Sequence, residues 1–429
     1  MKILYFALTF FPENSGYANA FFNFISALKN EYNISIDVVT PTPLNQSDEV
    51  EFRNIAVHRI NNITMLFKKL VNSSQKKKIS TDSSQSVKIC MSPIIYFQAF
   101  TKIANIILWF CNDVYIYTQI KKIYRSYDFN FIFIETFDFS IATYLLSRKF
   151  PGILLIRVHA TNETEYAFFF PGIVNIIKKR FIKKAARRIR YLLSTNSYHI
   201  DFIKKHYLDD NLFSILNKTF FVLPNTLDEE VLNCIPKHPA EMNNNDKLRI
   251  FTLGRMDHGG LLQKGFQDLI AAFSMIDKKL LDKINVTIVG KGPYRKILVD
   301  YANNKNLKFI NFIAEMDHKS TLEQLTLSDI VILPSRIEGL SMFALESLAT
   351  KNAVVFSDVG GLVDLVEDNG FLFKNQDIED LASKIEKILT LSKKEIDKMK
   401  QKSFQIYCKK FSSSVVRDKF LNILKIIST

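Results

Sequence analysis

At 429 residues the chain is too long for one ordinary hydrophobic core, so two domains are expected. Its 47% hydrophobic and 23% charged residues are a globular composition, and a formal net charge of +14 points to a polyanionic partner: nucleic acid, an anionic membrane face or phosphorylated substrates. Cys90, Cys111, Cys234 and Cys408 form no CxxC pair, so neither a disulfide framework nor a zinc knuckle is suggested, and no apolar run reaches the ~18 residues of a spanning helix.

The run Ile3 to Phe11, followed by Ala18-Asn19-Ala20, imitates a secretory signal with its cleavage site. Pro12, Glu13 and Asn14 interrupt it, and Phe21, Phe22, Phe24, Ile25 and Leu28 continue with helical spacing. A strand at Ile3–Phe10, a polar loop and an amphipathic helix are therefore expected instead. Further strands are predicted at Ile34–Val39, Phe131–Glu135, Ile153–His159, Tyr191–Ser194 and Phe220–Leu223. Lys68 to Lys88, rich in Ser, Gln and Lys, reads as a mobile loop. The apolar stretch Ile94 to Phe110 is broken by Gln98, Lys102 and Asn105.

Ile173 to Leu193 carries eight Lys and Arg and no acid. On a helix, Ile173, Ile177, Phe181, Ala185, Ile189 and Leu192 form a stripe, and Lys178, Lys179, Lys183, Arg187 and Arg190 lie mostly elsewhere. With Phe168, Phe169 and Phe170 just before it, this segment suits docking on an anionic leaflet; a helix packed on its own sheet with a solvated basic face has the same pattern.

The second half predicts strands at Leu248–Leu253, Asn285–Val289, Leu307–Phe312, Ile330–Leu333, Ala353–Phe356 and Gly370–Phe373, again separated by helical patterns. Two such series predict two doubly wound α/β domains with parallel sheets, joined near Pro224-Asn225 or within Pro236 to Asp246.

Open parallel sheets bind ligands outside the carboxyl ends of their strands, so the loop after each strand is where chemistry is sought. Gly16 precedes the first helix, as a ligand-approach glycine or an ordinary turn. Gly254-Arg255 leave one strand and Lys264-Gly265 open the next helix, with His258, Gly259 and Gly260 in a flexible loop between; two cations beside glycines suit a diphosphate. Lys291-Gly292-Pro293 form a tight turn of the kind found in nucleotide pockets. Gly339, Leu340 and Ser341 offer helix-tip amides to a phosphate oxygen. Glu338 and Glu346 flank that tip; carboxylates accept hydrogen bonds from sugar hydroxyls, although Glu346 also fits a first-turn residue favouring its own helix dipole. Gly360-Gly361 repeat the anion-ready arrangement, and His159 ends a strand facing the other domain, as a functional or a structural histidine.

Taken together, Glu338-Gly339-Leu340-Ser341 through Glu346, Gly254-Arg255 with Lys264-Gly265, Ile288–Pro293, Val222–Asp228 and Val359–Gly361 resemble the motifs, in order, of retaining group 1 glycosyltransferases of family 4. The resemblance implies a GT-B fold: an acceptor-binding domain at 1–225, a nucleotide-sugar-binding domain at 226–410, a cleft between them, and a final helix within 411–429 packing back on the first. It implies that Arg255 and Lys264 neutralise the donor diphosphate, Glu346 holds the ribose, Glu338 contacts the donor sugar, and the amides around Gly339 to Ser341 steady the leaving phosphate. His159 would lie near donor sugar and acceptor, Gly16 beneath the diphosphate, and Gly254 and Gly292 beside the donor. Ser15, Lys291, Thr226 and a long Arg255-to-Lys264 span depart from the family pattern, and Lys291 leaves the nucleotide base open.

The function implied is sugar transfer from a nucleoside-diphosphate sugar, with retention, to a glycan or lipid-linked acceptor in surface-polysaccharide or glycolipid synthesis. The setting implied is cytoplasmic, peripheral on the inner membrane face through 173–193. With two cations at the diphosphate, no cofactor and no metal are expected. The competing readings are an epimerase or phosphorolytic enzyme on the same fold, and a basic nucleic-acid-binding protein; Glu338 and Glu346 would repel phosphates and argue against nucleic acid.

Overall fold

The computed structural model describes residues 1–7, 16–28, 34–41, 49–52, 55–60, 110–135, 140–159, 173–208, 219–235 and 247–429. Lys68 to Lys88, Cys90, Phe168 to Phe170, the alternative joint 236–246 and all of 94–110 but Phe110 lie outside them. Among the described residues no helix is long and apolar enough to cross a membrane.

The strands are β1 (Lys2–Phe6), β2 (Ser35–Pro41), β3 (Glu49–Phe52), β4 (Ile55–Ile60), β5 (Phe131–Glu135), β6 (Leu154–Val158), β7 (Tyr191–Ser194) and β8 (Thr219–Val222), then β9 (Leu248–Leu253), β10 (Ile284–Val289), β11 (Ile310–Ile313), β12 (Ile330–Leu333), β13 (Ala353–Ser357) and β14 (Gly370–Phe373). The first eight pair in the order β3-β4-β2-β1-β5-β6-β7-β8 and the last six as β11-β10-β9-β12-β13-β14. All ladders are parallel except the edge pair β3/β4. Each sheet builds outward from its first strand, then returns to build the other side. The switch points, where such sheets open a crevice, fall between β1 and β5 and between β9 and β12. This is the GT-B architecture, two doubly wound domains.

Each predicted strand has a counterpart among the described residues, with Leu8 to Phe10 of the first lying outside them; β3 and β4 were not predicted. β11 begins at Ile310 rather than Leu307 because the Leu307 amide turns back to the Ala302 carbonyl at 3.1 Å.

Alternation along β1 explains why both faces of the first sheet are covered. Leu4 and Phe6 face one core with Ile182 and Ala185, while Ile3 and Tyr5 face the other with Phe24 of the helix Gly16–Leu28. That second face is completed by Val416, Phe420, Ile423, Leu424 and Ile427 of the last helix, Ser413–Ser428. Phe420 meets Phe24 edge-on at 5.2 Å. The chain thus crosses between domains twice, near Asn225 and at Phe411, and Thr226 Oγ1 donates to the Phe411 carbonyl at 2.7 Å to tie the crossings together. Thr226 therefore has a task that glycine could not perform.

The basic segment packs in part on its own domain. Its helix, Ile173–Arg188, directs Ile182, Ala185, Ala186 and Ile189 into the core, against the helix Ser140–Lys149. Of the described stripe residues, Ala185, Ile189 and Leu192 are buried and Ile177 and Phe181 are half-buried, while Ile176, Arg180, Lys184, Arg188 and Arg190 are exposed.

Candidate active site

The loop after β12 leads to the helix Met342–Ala349, whose N-cap is Ser341; its Oγ accepts from the Ala344 amide at 3.3 Å. Glu346 lies in the second turn and is 7% exposed, so the first-turn dipole reading fails. His318, which begins the helix His318–Leu327, hydrogen-bonds Glu346 Oε1 through Nε2 at 2.8 Å. That bond raises the His318 pKa above its ordinary 6.5, against partial burial. No local motif marks His318 as this partner.

After β9, Asp257 caps a helix, accepting from the Gly260 amide at 2.7 Å. His258, Gly259 and Gly260 are therefore helical, not a flexible loop, and Lys264 closes that helix rather than opening the next, which starts at Phe266. The added turn accounts for the long Arg255-to-Lys264 span. It brings the predicted residues together: Lys264 Nζ donates to Glu338 Oε2 at 2.7 Å, and Arg255 Nη2 donates to Gln263 Oε1 at 3.3 Å. Gln263, missed by sequence reasoning, also donates to the Ile337 carbonyl at 3.2 Å, so the two loops interlock. Arg336 anchors the second loop through a fork to Asp268 at 2.8 and 2.6 Å. Gly254 packs on the Lys264 stem, and Gly292 lies against the Met256 backbone. Lys291 pairs with Glu315 at the surface.

Gly360 and Gly361 also differ from expectation. A side chain at Gly360, whose φ is +51°, would overlap the Glu338 carbonyl, and the Gly361 amide donates to the Gly339 carbonyl at 2.7 Å. They form a backrest for the Glu338–Ser341 loop, and the Gly361 amide is already occupied.

The N-terminal domain meets this loop with the end of β6. A Cβ on Gly339 would stand 2.5 Å from the His159 carbonyl oxygen, so only glycine permits the approach. The His159 imidazole, however, does not face an open cleft: it is 4% exposed, bonded to Glu135 and edge-on to Phe21 at 5.1 Å. Burial, only partly offset by Glu135, holds its pKa below the ordinary value. Glu135 is buried too, yet Arg157, His159 and Tyr5 outweigh burial and keep its pKa low. Gly16 opens the helix Gly16–Leu28, which touches the helix Met342–Ala349 across the domain boundary. Among the described residues no group of three or more His, Cys, Asp or Glu could hold a metal ion.

Residues 236–405, in the second lobe, match the family model of glycosyl transferases group 1. An uncharacterized glycosyltransferase of Methanocaldococcus jannaschii is 27% identical over 56% of this chain and 60% of its own length. An O-antigen biosynthesis glycosyltransferase of Escherichia coli is 29% identical over 37% of this chain and 42% of its own. The matched regions thus span about half the length of these relatives. Over the whole chain the fold is shared with sucrose-phosphate synthase from Thermosynechococcus elongatus, with TM-score 0.70, 14% identity and 99% and 98% of the two chains covered. It is shared too with an Escherichia coli trehalose-6-phosphate structure bound with UDP-2-fluoro glucose, with TM-score 0.67, 12% identity and 100% and 99% covered.

Proposed function

We propose that the protein is a retaining glycosyltransferase that moves a sugar from a nucleoside-diphosphate sugar to a hydroxyl of a glycan or lipid-linked acceptor. The observation that carries the reading is the Lys264–Glu338 pair, which joins the cation loop of β9 to the helix-tip loop of β12. Arg255 adjoins it through Gln263.

In this reading the diphosphate lies against Arg255, Lys264 and the tip of the helix Met342–Ala349. Glu346, steadied by His318, accepts the ribose hydroxyls, and Glu338 accepts from the donor sugar. As the sugar–phosphate bond breaks, negative charge grows on the departing oxygen, where the two cations and the tip amides stabilise it. Loss of one such donor costs about 10²–10³ in turnover, about 2.7–4 kcal/mol. The two cations take the place of a metal ion, so EDTA is expected to leave transfer unchanged. Retention follows from attack on the same face, with the leaving phosphate accepting the acceptor's proton. His159 contributes its backbone carbonyl, which abuts Gly339 of the donor loop, while its imidazole stays buried against Glu135.

The O-antigen name of one relative supports a surface polysaccharide or glycolipid as product. Arg180, Lys184, Arg188 and Arg190 support an electrostatic approach to an anionic lipid face on the cytoplasmic side, without insertion of the apolar stripe.

The test is release of nucleoside diphosphate from a panel of UDP-, GDP- and ADP-sugars with lipid-linked acceptors. Lys264→Ala and Glu338→Ala should fold and lose at least about 10²-fold in turnover. Near-normal turnover in both would overturn the assignment, and donor breakdown without acceptor would favour the epimerase or phosphorolytic reading.

A further inference from the structure

Arg157 is 0% exposed, in the penultimate position of β6. A buried guanidinium is costly unless its donors are matched. Glu135 takes one, Nη1, at 3.2 Å. The others do not go to charges. Nε donates to the Leu223 carbonyl at 3.1 Å, and Nη2 to the Pro224 carbonyl at 3.0 Å and to Asn225 Oδ1 at 2.7 Å. All three acceptors are consecutive residues of the segment joining the domains.

Asn225 carries the contact onward. With Oδ1 facing the guanidinium, its amide nitrogen faces the other domain and donates to the Leu340 carbonyl at 3.0 Å. The amide cannot turn over without setting an NH2 group against Arg157. Next to it, Thr226 holds the second crossing at Phe411, and two residues beyond Arg157 the His159 carbonyl abuts Gly339. One buried fork therefore fixes both chain crossings and the loop Glu338–Ser341.

We propose that Arg157 and Asn225 are positioning residues, a strut that sets the N-terminal domain in register with the Glu338–Ser341 loop. The role in turnover rests on that loop being the donor loop, as proposed above. Donor contacts at Arg255, Lys264 and Glu346 belong to the second domain alone and do not depend on the strut, which acts through the Glu338–Ser341 loop, so its loss falls more on turnover than on donor affinity.

Asn225→Asp tests this with little change of shape: it keeps an acceptor for Arg157 and puts a carboxylate oxygen where the donor to Leu340 stood. Gly339→Ala strikes the same boundary from the other lobe without touching the linker. Hydrogen exchange of the full chain without ligand should show the amides of Ala344 and Gly361, which donate to Ser341 Oγ and to the Gly339 carbonyl, exchanging at least about tenfold faster in both variants, with β1, β5, β9 and β12 as protected as before. Unchanged exchange at both amides, or a loss of protection that spreads to β1 and β5, would overturn the strut. Turnover on the donor found by the panel should fall at least about tenfold in Asn225→Asp with donor KM within about threefold; equal loss of donor binding would also overturn it. Should no nucleotide sugar bind, the transferase reading fails, while the exchange experiment still decides the strut.

Discussion

Lys264 and Glu338 neutralise each other across 2.7 Å, yet they lie 74 residues apart in sequence. Their types and loop positions were legible, because a cation beside glycine and a carboxylate at a helix tip both follow strands. Their mutual contact was not, since it needed the extra helical turn from His258 to Lys264. His318 was silent for the same reason: 28 residues separate it from Glu346, and nothing local marks it. The pair has a pH signature. Because His318 has its pKa raised in the folded chain, its bond to Glu346 is complete below about 6.5 and is lost as pH climbs through the higher folded value. Donor KM should therefore rise on the alkaline side, and His318→Gln should abolish that pH dependence; an identical profile in the variant would remove His318 from the site. Gly360→Ala is a second residue-scale test. A methyl group there would displace the Glu338 carbonyl, so turnover should drop at least about tenfold while unfolding temperature changes modestly.

Among the elements, the helix Ser197–Tyr207 gives the clearest stability test. Asn196 caps it, accepting from the His199 amide at 3.0 Å, and Asn196→Ala should cost about 1 kcal/mol in denaturant unfolding. Burial and the nearby His159 push the His199 pKa down to about 4. A histidine buried neutral binds its proton more readily when unfolded. Stability is therefore whole above about pH 6.5 and falls toward pH 4, by at most about 3 kcal/mol. Thermal unfolding of wild type against His199→Gln between those pH values should show a flatter acid limb in the variant; parallel curves would exclude His199 as the source. Elements also show where periodicity misleads. The stripe of Ile173–Arg188 predicted a buried face correctly but could not say whether core or lipid would cover it. The edge strand β3 and its neighbour β4 escaped because each is short and polar residues such as Glu49, Glu51, His58 and Arg59 interrupt them.

At the scale of the molecule, two parallel-sheet domains were readable because buried strands such as IVIL and FIFIE are continuous apolar runs. Their mutual register was not, since it depends on Arg157, Asn225 and Gly339, whose significance appears only on folding. The last helix belongs to the first domain's core. Truncation after Phe411 should therefore expose Phe24 and Phe133 and abolish cooperative unfolding of the N-terminal domain, leaving the second sheet folded. A truncated chain with both transitions intact would contradict that packing. The most direct measurement of the proposed chemistry is thermal unfolding of the full chain with UDP-, GDP- and ADP-sugars in turn, repeated on Lys264→Ala. At least one donor should stabilise the wild type, by about 2.7 kcal/mol at 100-fold its Kd, and should fail to stabilise the variant. Stabilisation by none of them, or equal stabilisation of both proteins, would contradict a diphosphate site built on Lys264.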